Sequence, residues 1–206
     1  MNIKKAYQDS MKKFSKNNPS TLFKDKEVYG EWLAQTYFFV RHSTSLLGYS
    51  LPHLKNEELR HHFEHHLGEE ERHDLLALKD IERLGKNISQ YQEMIPTQAF
   101  YHSQYYRISF EGGTSLLGYI LFLEGLAVNW AKDSYMEIKD LHKGSVLFLK
   151  VHAEEDPHHL EEAIKTISSL SQNEQECILR NLHYSEELYQ QMMHCILEQH
   201  KKVKAA

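Results

Sequence analysis

The sequence predicts an all-α protein that folds as a single domain over residues 1–206. The chain contains only four Pro and nine Gly, and its long segments rich in Leu, Glu, Lys, His and Gln lack helix breakers. Apolar residues recur at helical spacing rather than in alternation, as in the segment with Trp32, Leu33 and Tyr37. A chain of this length buries a sizeable core. No linker or repeat divides it.

Caps and breakers divide the chain into helices that would pack as a bundle of about seven. Pro52 ends the second helix, and Asn56 caps the third. Gly85 follows the third helix and can adopt the left-handed conformation that commonly ends a helix. The pair Gly112 and Gly113 separates the fourth helix from the most apolar one. The predicted helices span about residues 2–15, 26–50, 57–84, 98–109, 114–132, 133–141, 145–169 and 173–201.

Charge and composition exclude several classes of protein. The formal net charge is −5 with His neutral, which argues against a nucleic-acid partner. The uninterrupted apolar stretches are too short to predict a membrane span, and the N-terminus does not resemble a signal peptide. Cys177 and Cys195 fall in one predicted helix, too far apart for a disulfide. We therefore expect a cytoplasmic protein with a small-molecule partner, and a homodimer is left open.

The most informative motif lies in the helix predicted over residues 145–169. His152, Asp156 and His159 sit at positions i, i+4 and i+7, which places two imidazoles and a carboxylate on one helix face. Leu149 and Ala163 share that face, so it is predicted to face the core. Burying ionisable groups among aliphatic residues is costly unless they are paired, and a metal ion would pair with all three. The alternative is a solvated helix rich in His and Glu, since the chain has 15 His.

Two further helices carry inward-facing carboxylates. Glu70 and His73 form a Glu-x-x-His pair, the spacing used in helical di-iron proteins, although Glu-rich helices also produce it by chance. Glu124 is the only charged residue between Gly113 and Trp130, and its helical neighbours are apolar. A buried carboxylate of this kind either binds a partner or stays protonated.

Together the motifs supply three carboxylates and three imidazoles from three helices. The three negative charges of the carboxylates balance most of the four positive charges of two divalent ions, and six ligands shared by two ions leave coordination positions open. A structural zinc site would instead favour four ligands around one ion, often thiolates. We predict two ferrous ions, with manganese as the alternative metal. The predicted ligands are Glu70, His73, Glu124, His152, Asp156 and His159.

The order of these motifs along the chain resembles the haem-oxygenase-like di-metal oxidases. The resemblance implies a haem-oxygenase-like helical bundle in which Glu70, His73, Glu124 and His152 hold one iron. It assigns Asp156 and His159 to the second iron, with Glu124 as a bridge. Family members act on fatty acids or amino-acid-derived substrates, so it implies an oxidase or oxygenase that uses O2 and accepts electrons from an external reductant.

Several other residues are weaker candidates for the same site. His66, one turn before Glu70, and His42 are possible additional ligands, although a hydrogen-bonded or surface His is the ordinary alternative. Aromatic residues on the expected pocket helices either line a substrate cavity or belong to the core: Tyr37, Phe38, Tyr119 and Phe122.

Three alternatives to the di-iron oxidase remain open at this stage. One is a helical protein that binds a metal or a partner without catalysis. The second is a haem oxygenase with His42 as the proximal ligand, which would leave the buried carboxylates without a purpose. The third is a thiaminase-like enzyme, which needs a catalytic Cys, but Cys177 and Cys195 both lie outside the motifs.

Overall fold

A computed structural model describes the backbone of residues 3–205 and the side chains of the same residues except 155–159. Over this part of the chain there is no strand, so the predicted all-α class is confirmed. The helices are α1 (Ile3–Asn17), α2 (Lys26–Val40), α3 (Ser43–Ser50), α4 (Glu57–Glu69), α5 (Asp74–Arg83), α6 (Ile95–Glu111), α7 (Leu116–Leu126), α8 (Lys132–Ile138), α9 (Leu147–Ser169) and α10 (Gln172–Ala205).

Two helices predicted as continuous are each divided in two. Residues 26–50 form α2 and α3, which meet at Arg41 and His42. Residues 57–84 form α4 and α5, which are separated by a turn in which Arg72 adopts a left-handed conformation, with φ of 72°. Apolar periodicity continues through both breaks, and neither contains Pro or Gly, so neither break could be predicted from local residue patterns.

The most apolar helix lies at the centre of the bundle. α7 packs so closely on α10 that a Cβ atom at Gly118 would lie 2.2 Å from the carbonyl oxygen of Ile178. One turn of π-helix, Ala127–Ala131, joins α7 to α8. Edge-to-face aromatic contacts surround this axis, where the ring of Phe14 contacts those of Phe122 and Trp130.

The helical run Gly113–Ile138 is long and apolar enough to cross a membrane, by length and composition alone. This finding differs from the expectation that its uninterrupted apolar stretches are too short for a membrane span. In the structure, 72% of the relevant window is buried inside the protein. The core helix of a globular bundle has these same properties, so the run is weak evidence for a membrane span.

Candidate metal centre

The predicted ligands come from four places that meet beside the centre of the bundle. Glu70 directly follows the last residue of α4, and His73 directly precedes α5. Glu124 lies on the last turn of α7, three residues before the π-helical turn begins, and His152 lies on α9. π-Helical turns are rare and occur often at functional sites. The interruption between α4 and α5 corrects the expectation that Glu70 and His73 share one continuous helix face.

His66, Glu70 and Glu124 form the tightest group of donor atoms. The Nε2 atom of His66 lies 3.8 Å from Oε1 of Glu124 and 4.0 Å from Oε1 of Glu70. These distances are too long for hydrogen bonds. Two ligands bound to one ion at about 2.0–2.2 Å lie at most about 4.0–4.4 Å apart. One ligand atom from each of the three residues lies within 4.8 Å of the others, so the group fits an ion with a small adjustment.

His73 and His152 extend this group on the side of α9. The Nδ1 atom of His73 lies 3.5 Å from Oε1 of Glu70, and the His73 and His152 rings meet edge to face with centroids 5.1 Å apart. The Nδ1–H of His152 donates a hydrogen bond of 2.8 Å to the carbonyl oxygen of Phe148. This bond leaves Nε2 deprotonated in the neutral ring, which is the form that binds metals.

The surroundings of Glu70 favour its ionised form. Burial by itself would raise the pKa of this carboxyl group, but the hydrogen bond with His73 and the nearby His66, His73 and His152 lower it to about 2. Glu70 is therefore a carboxylate at neutral pH, as a metal ligand must be.

The structure brings some of the predicted residues together and not others. Glu70, His73, Glu124 and His152 lie in one cluster, and His66 joins it. The side chains of Asp156 and His159 lie outside the described residues. Tyr37 and His42 are not among the residues that line the cavity at the cluster. The ring of His42 instead stacks on Tyr101, with centroids 4.0 Å apart, and Arg41 lies over the ring of Tyr37.

An apolar cavity opens beside the cluster. Four of its lining residues are His66, Glu70, Glu124 and His152, and most of the others are aliphatic or aromatic. It offers about 90 Å³ to the centres of water-sized molecules, and one water needs roughly 10–15 Å³ on this measure. No Lys or Arg occurs among the described residues that line it. Of the aromatic residues proposed for the pocket, Tyr119 lines the cavity, whereas Phe38 and Phe122 do not.

The sequence analysis missed a second group of polar residues next to the cluster. His62, Glu69 and Glu162 line a small gap together with His66 and Glu124. The Oε2 atom of Glu69 lies 3.7 Å from Nδ1 of His66. Sequence spacing offered a partial signal, because His62, His66 and Glu69 are neighbours on one face of α4.

Comparison with known proteins places this arrangement in a family. A family model described as iron-containing redox enzyme matches residues 30–190. This chain belongs to that family. The match includes Glu70, His73, Glu124 and His152, and it confirms the resemblance noted from the sequence. No curated protein matches the sequence.

Solved structures show the same fold at low sequence identity. A domain of unknown function with a heme oxygenase-like fold from Shewanella denitrificans OS217 has a TM-score of 0.87 and 18% identity, over 98% of this chain and 93% of that one. A TenA homolog from Pseudomonas syringae pv. tomato DC3000 has a TM-score of 0.75 and 12% identity, over 94% and 90%. These matches show that this chain, a member of the iron-containing redox enzyme family, has a haem-oxygenase-like fold.

Proposed function

We propose that this protein is a non-haem di-iron oxidase or oxygenase that uses O2 to oxidise a small, largely apolar organic molecule. One observation supports the proposal above all others. Imidazole and carboxylate atoms converge at 3.8–4.0 Å around His66, spacings that suit a shared ion and not a hydrogen bond, and they do so at the wall of an apolar cavity.

Each side chain has a distinct part in this proposal. Glu70, His73, Glu124 and His152 hold the first iron, and His66 is an additional donor between the two carboxylates. Asp156 and His159 would hold the second iron, as the family resemblance implies, and Glu124 would contribute to both sites. Iron held by these residues would supply the activation of O2 for oxidation of a C–H or C–C bond or an amine.

The protein's own contribution is orientation and the exclusion of water. The Phe148 carbonyl fixes the tautomer of His152, and the ring of Phe148 stacks on that imidazole with centroids 4.1 Å apart. The apolar walls keep bulk water from the substrate. The small-molecule partner, the external reductant, the cytoplasmic location and a homodimer remain predictions from the sequence.

Iron titration under anaerobic conditions tests the proposal directly. Ferrous iron should bind at up to two equivalents per chain, and exposure to O2 should then oxidise it, as followed by absorption and Mössbauer spectroscopy. A protein that takes up no iron, or holds iron that does not react with O2, would instead be a metal-binding or partner-binding module.

The similarity to a TenA homolog raises a second candidate, a thiaminase-like enzyme with a nucleophilic Cys. Neither cysteine lines the cavity, as far as its lining is described. Burial and a hydrogen bond to Glu111 raise the pKa of the Cys177 thiol to about 11, which makes it a poor nucleophile at neutral pH. A haem oxygenase is also disfavoured, because His42 does not line the cavity.

A further inference from the structure

Two tyrosine residues line the apolar cavity, and their hydroxyl groups differ in one respect. The hydroxyl of Tyr189 accepts a hydrogen bond of 2.8 Å from Nε1 of Trp32. The hydroxyl of Tyr119 is fully buried and makes no hydrogen bond with any residue that the structure describes. Only 3% of the surface of Tyr119 is exposed, so its hydroxyl is shielded from bulk solvent. Buried polar groups are almost always hydrogen-bonded, and an exception calls for an explanation.

The surroundings of Tyr119 keep its hydroxyl group protonated, so that it acts as a hydrogen-bond donor. Burial, and to a smaller extent the carboxylate of Glu70, raise the pKa of its phenol well above the ordinary value. The group therefore keeps its proton at any physiological pH. Its cavity is mainly apolar and has no Lys or Arg in its described lining, so a protein cation does not bind an anionic substrate group there.

We propose that Tyr119 binds the substrate by donating a hydrogen bond from its hydroxyl to one neutral acceptor, such as a carbonyl, ether or alcohol oxygen, on an otherwise apolar molecule. This inference rests on the proposed function in one respect, that the cavity is the substrate site. It adds the chemical class of the substrate, which is a short aliphatic chain with a single uncharged acceptor. The buried donor selects against analogues that lack the acceptor, because such analogues leave the phenol unpaired.

Binding of two probes of the same shape to the iron-free protein tests the proposal. The probes are 2-hexanone, which has a carbonyl acceptor, and 2-methyl-1-hexene, in which a CH₂ group replaces the oxygen. The wild-type protein should bind the ketone about 3- to 10-fold more tightly, the factor expected of one net hydrogen bond. The carbonyl stretching frequency of the bound ketone should fall, as it does on hydrogen bonding.

The variant Tyr119→Phe removes only the hydroxyl. The ketone preference and the carbonyl shift should both disappear, and the melting temperature of the iron-free protein should stay level or rise by about 2–4 °C, because an unpaired buried group has been removed. The matched control is Tyr29→Phe. The hydroxyl of Tyr29 is equally buried, does not line the cavity, and donates to the carbonyl oxygen of Ser145 at 2.8 Å. This variant should melt at a lower temperature and retain the ketone preference.

Three results would overturn the proposal. They are no saturable binding of 2-hexanone by the wild-type protein, an unchanged ketone preference in Tyr119→Phe, or a loss of stability in Tyr119→Phe equal to that in Tyr29→Phe. Since these measurements use protein without iron, they stand apart from the iron titration. Failure of iron to bind would refute the proposed function and leave the probe result intact.

Discussion

Two glutamates are buried to a similar extent in this protein, and their surroundings differ. Glu186 on α10 is 3% exposed and Glu124 on α7 is 5% exposed. Glu186 accepts a hydrogen bond of 2.7 Å from the Ser10 hydroxyl and lies 2.9 Å from the Lys13 ammonium group. Oε1 of Glu124 instead lies 3.8 Å from Nε2 of His66, a second potential metal-binding side chain.

The difference distinguishes a carboxylate that stabilises the fold from one that is arranged for a ligand. Glu186 is neutralised by a lysine and a hydroxyl at hydrogen-bond distance, which offsets the cost of burying its charge. Around Glu124 the donor atoms of His66 and Glu70 lie close enough for one ion to be bound after a small adjustment. Such an arrangement leaves favourable energy to be gained when a metal binds.

The largest expected effect comes from replacing the carboxylate of Glu124 with an amide. Glu124→Gln should abolish iron binding at both sites, or nearly so, because it removes the proposed bridging charge. Iron per chain and O2 uptake would be measured after anaerobic loading. The iron-free variant should remain all-helical by circular dichroism, with an unfolding free energy equal to or above that of the wild type.

Glu186→Gln is the matched control for this experiment. It should lower the unfolding free energy by about 1–2 kcal/mol, through the weakened contacts with Ser10 and Lys13, and leave iron stoichiometry unchanged. Equal iron content in the Glu124→Gln variant and the wild type would show that Glu124 is a structural residue like Glu186.

His66→Ala should reduce iron affinity by more than the roughly 10- to 100-fold typical of residues that only orient a ligand. The reason is the position of its Nε2 between two carboxylates. His65→Ala on the same helix is the control, because its side chain is 74% exposed and should be dispensable. A competition titration with a ferrous chelator would measure both. Identical affinities in the two variants would exclude His66 as a ligand.

His159→Ala should deplete one iron and spare the other, a prediction that rests on helical spacing and on the family resemblance, which assigns His159 to the second site. His158→Ala is its control, since a neighbouring residue on an α-helix lies about 100° away around the axis. The iron content per chain would be measured in both variants after anaerobic loading. A loss of iron in the His158 variant, with none in the His159 variant, would mean that the face of α9 toward the cluster was assigned incorrectly.

The helical class and the clustering of Glu70, His73, Glu124 and His152 could be predicted from the sequence, because charged residues isolated on apolar helix faces are recognisable from spacing alone. The sequence did not predict the turn at Arg72, since local residue patterns there still favour a helix and tertiary packing decides the break. His66 was predicted only as a possible additional ligand, yet in the structure its Nε2 lies near the carboxylates of both Glu70 and Glu124. Tyr37 lies on α2 before the break, and its ring contacts Phe38 and Arg41 instead of lining the cavity. His42 lies at the break between α2 and α3, and no spacing rule extends across a break.

Asp80 is a third buried carboxylate, and we expect it to make the stability of the protein depend on pH. Burial raises its pKa to about 6, even though the backbone N–H groups of Phe148 and Leu147 at the start of α9 donate to it and Arg83 lies nearby. The folded protein therefore holds a proton between about pH 4 and 6 that the unfolded chain releases. Stability should fall as pH rises through this window, by about 3 kcal/mol at most.

Urea unfolding of the iron-free protein at pH 4.5 and 7 measures this effect, with Asp80→Asn as the comparison. Asn cannot ionise, so the stability of the variant relative to the wild type should increase with pH. Histidine residues titrate in both proteins and cancel in the difference. A difference that does not change with pH would place the pKa of Asp80 at its ordinary value.

The smallest effect concerns the turn that separates Glu70 from His73. Arg72 is exposed and adopts a left-handed conformation, which costs a non-glycine residue about 1–2 kcal/mol. Arg72→Gly removes this strain but adds freedom to the unfolded chain, so stability should rise by less than about 1 kcal/mol. Thermal unfolding should register a gain of up to about 4 °C, with iron affinity unchanged. Glu71→Gly, next to it and without a positive φ, should instead destabilise the protein. Loss of iron in Arg72→Gly would show that this strained turn holds the two ligands in place.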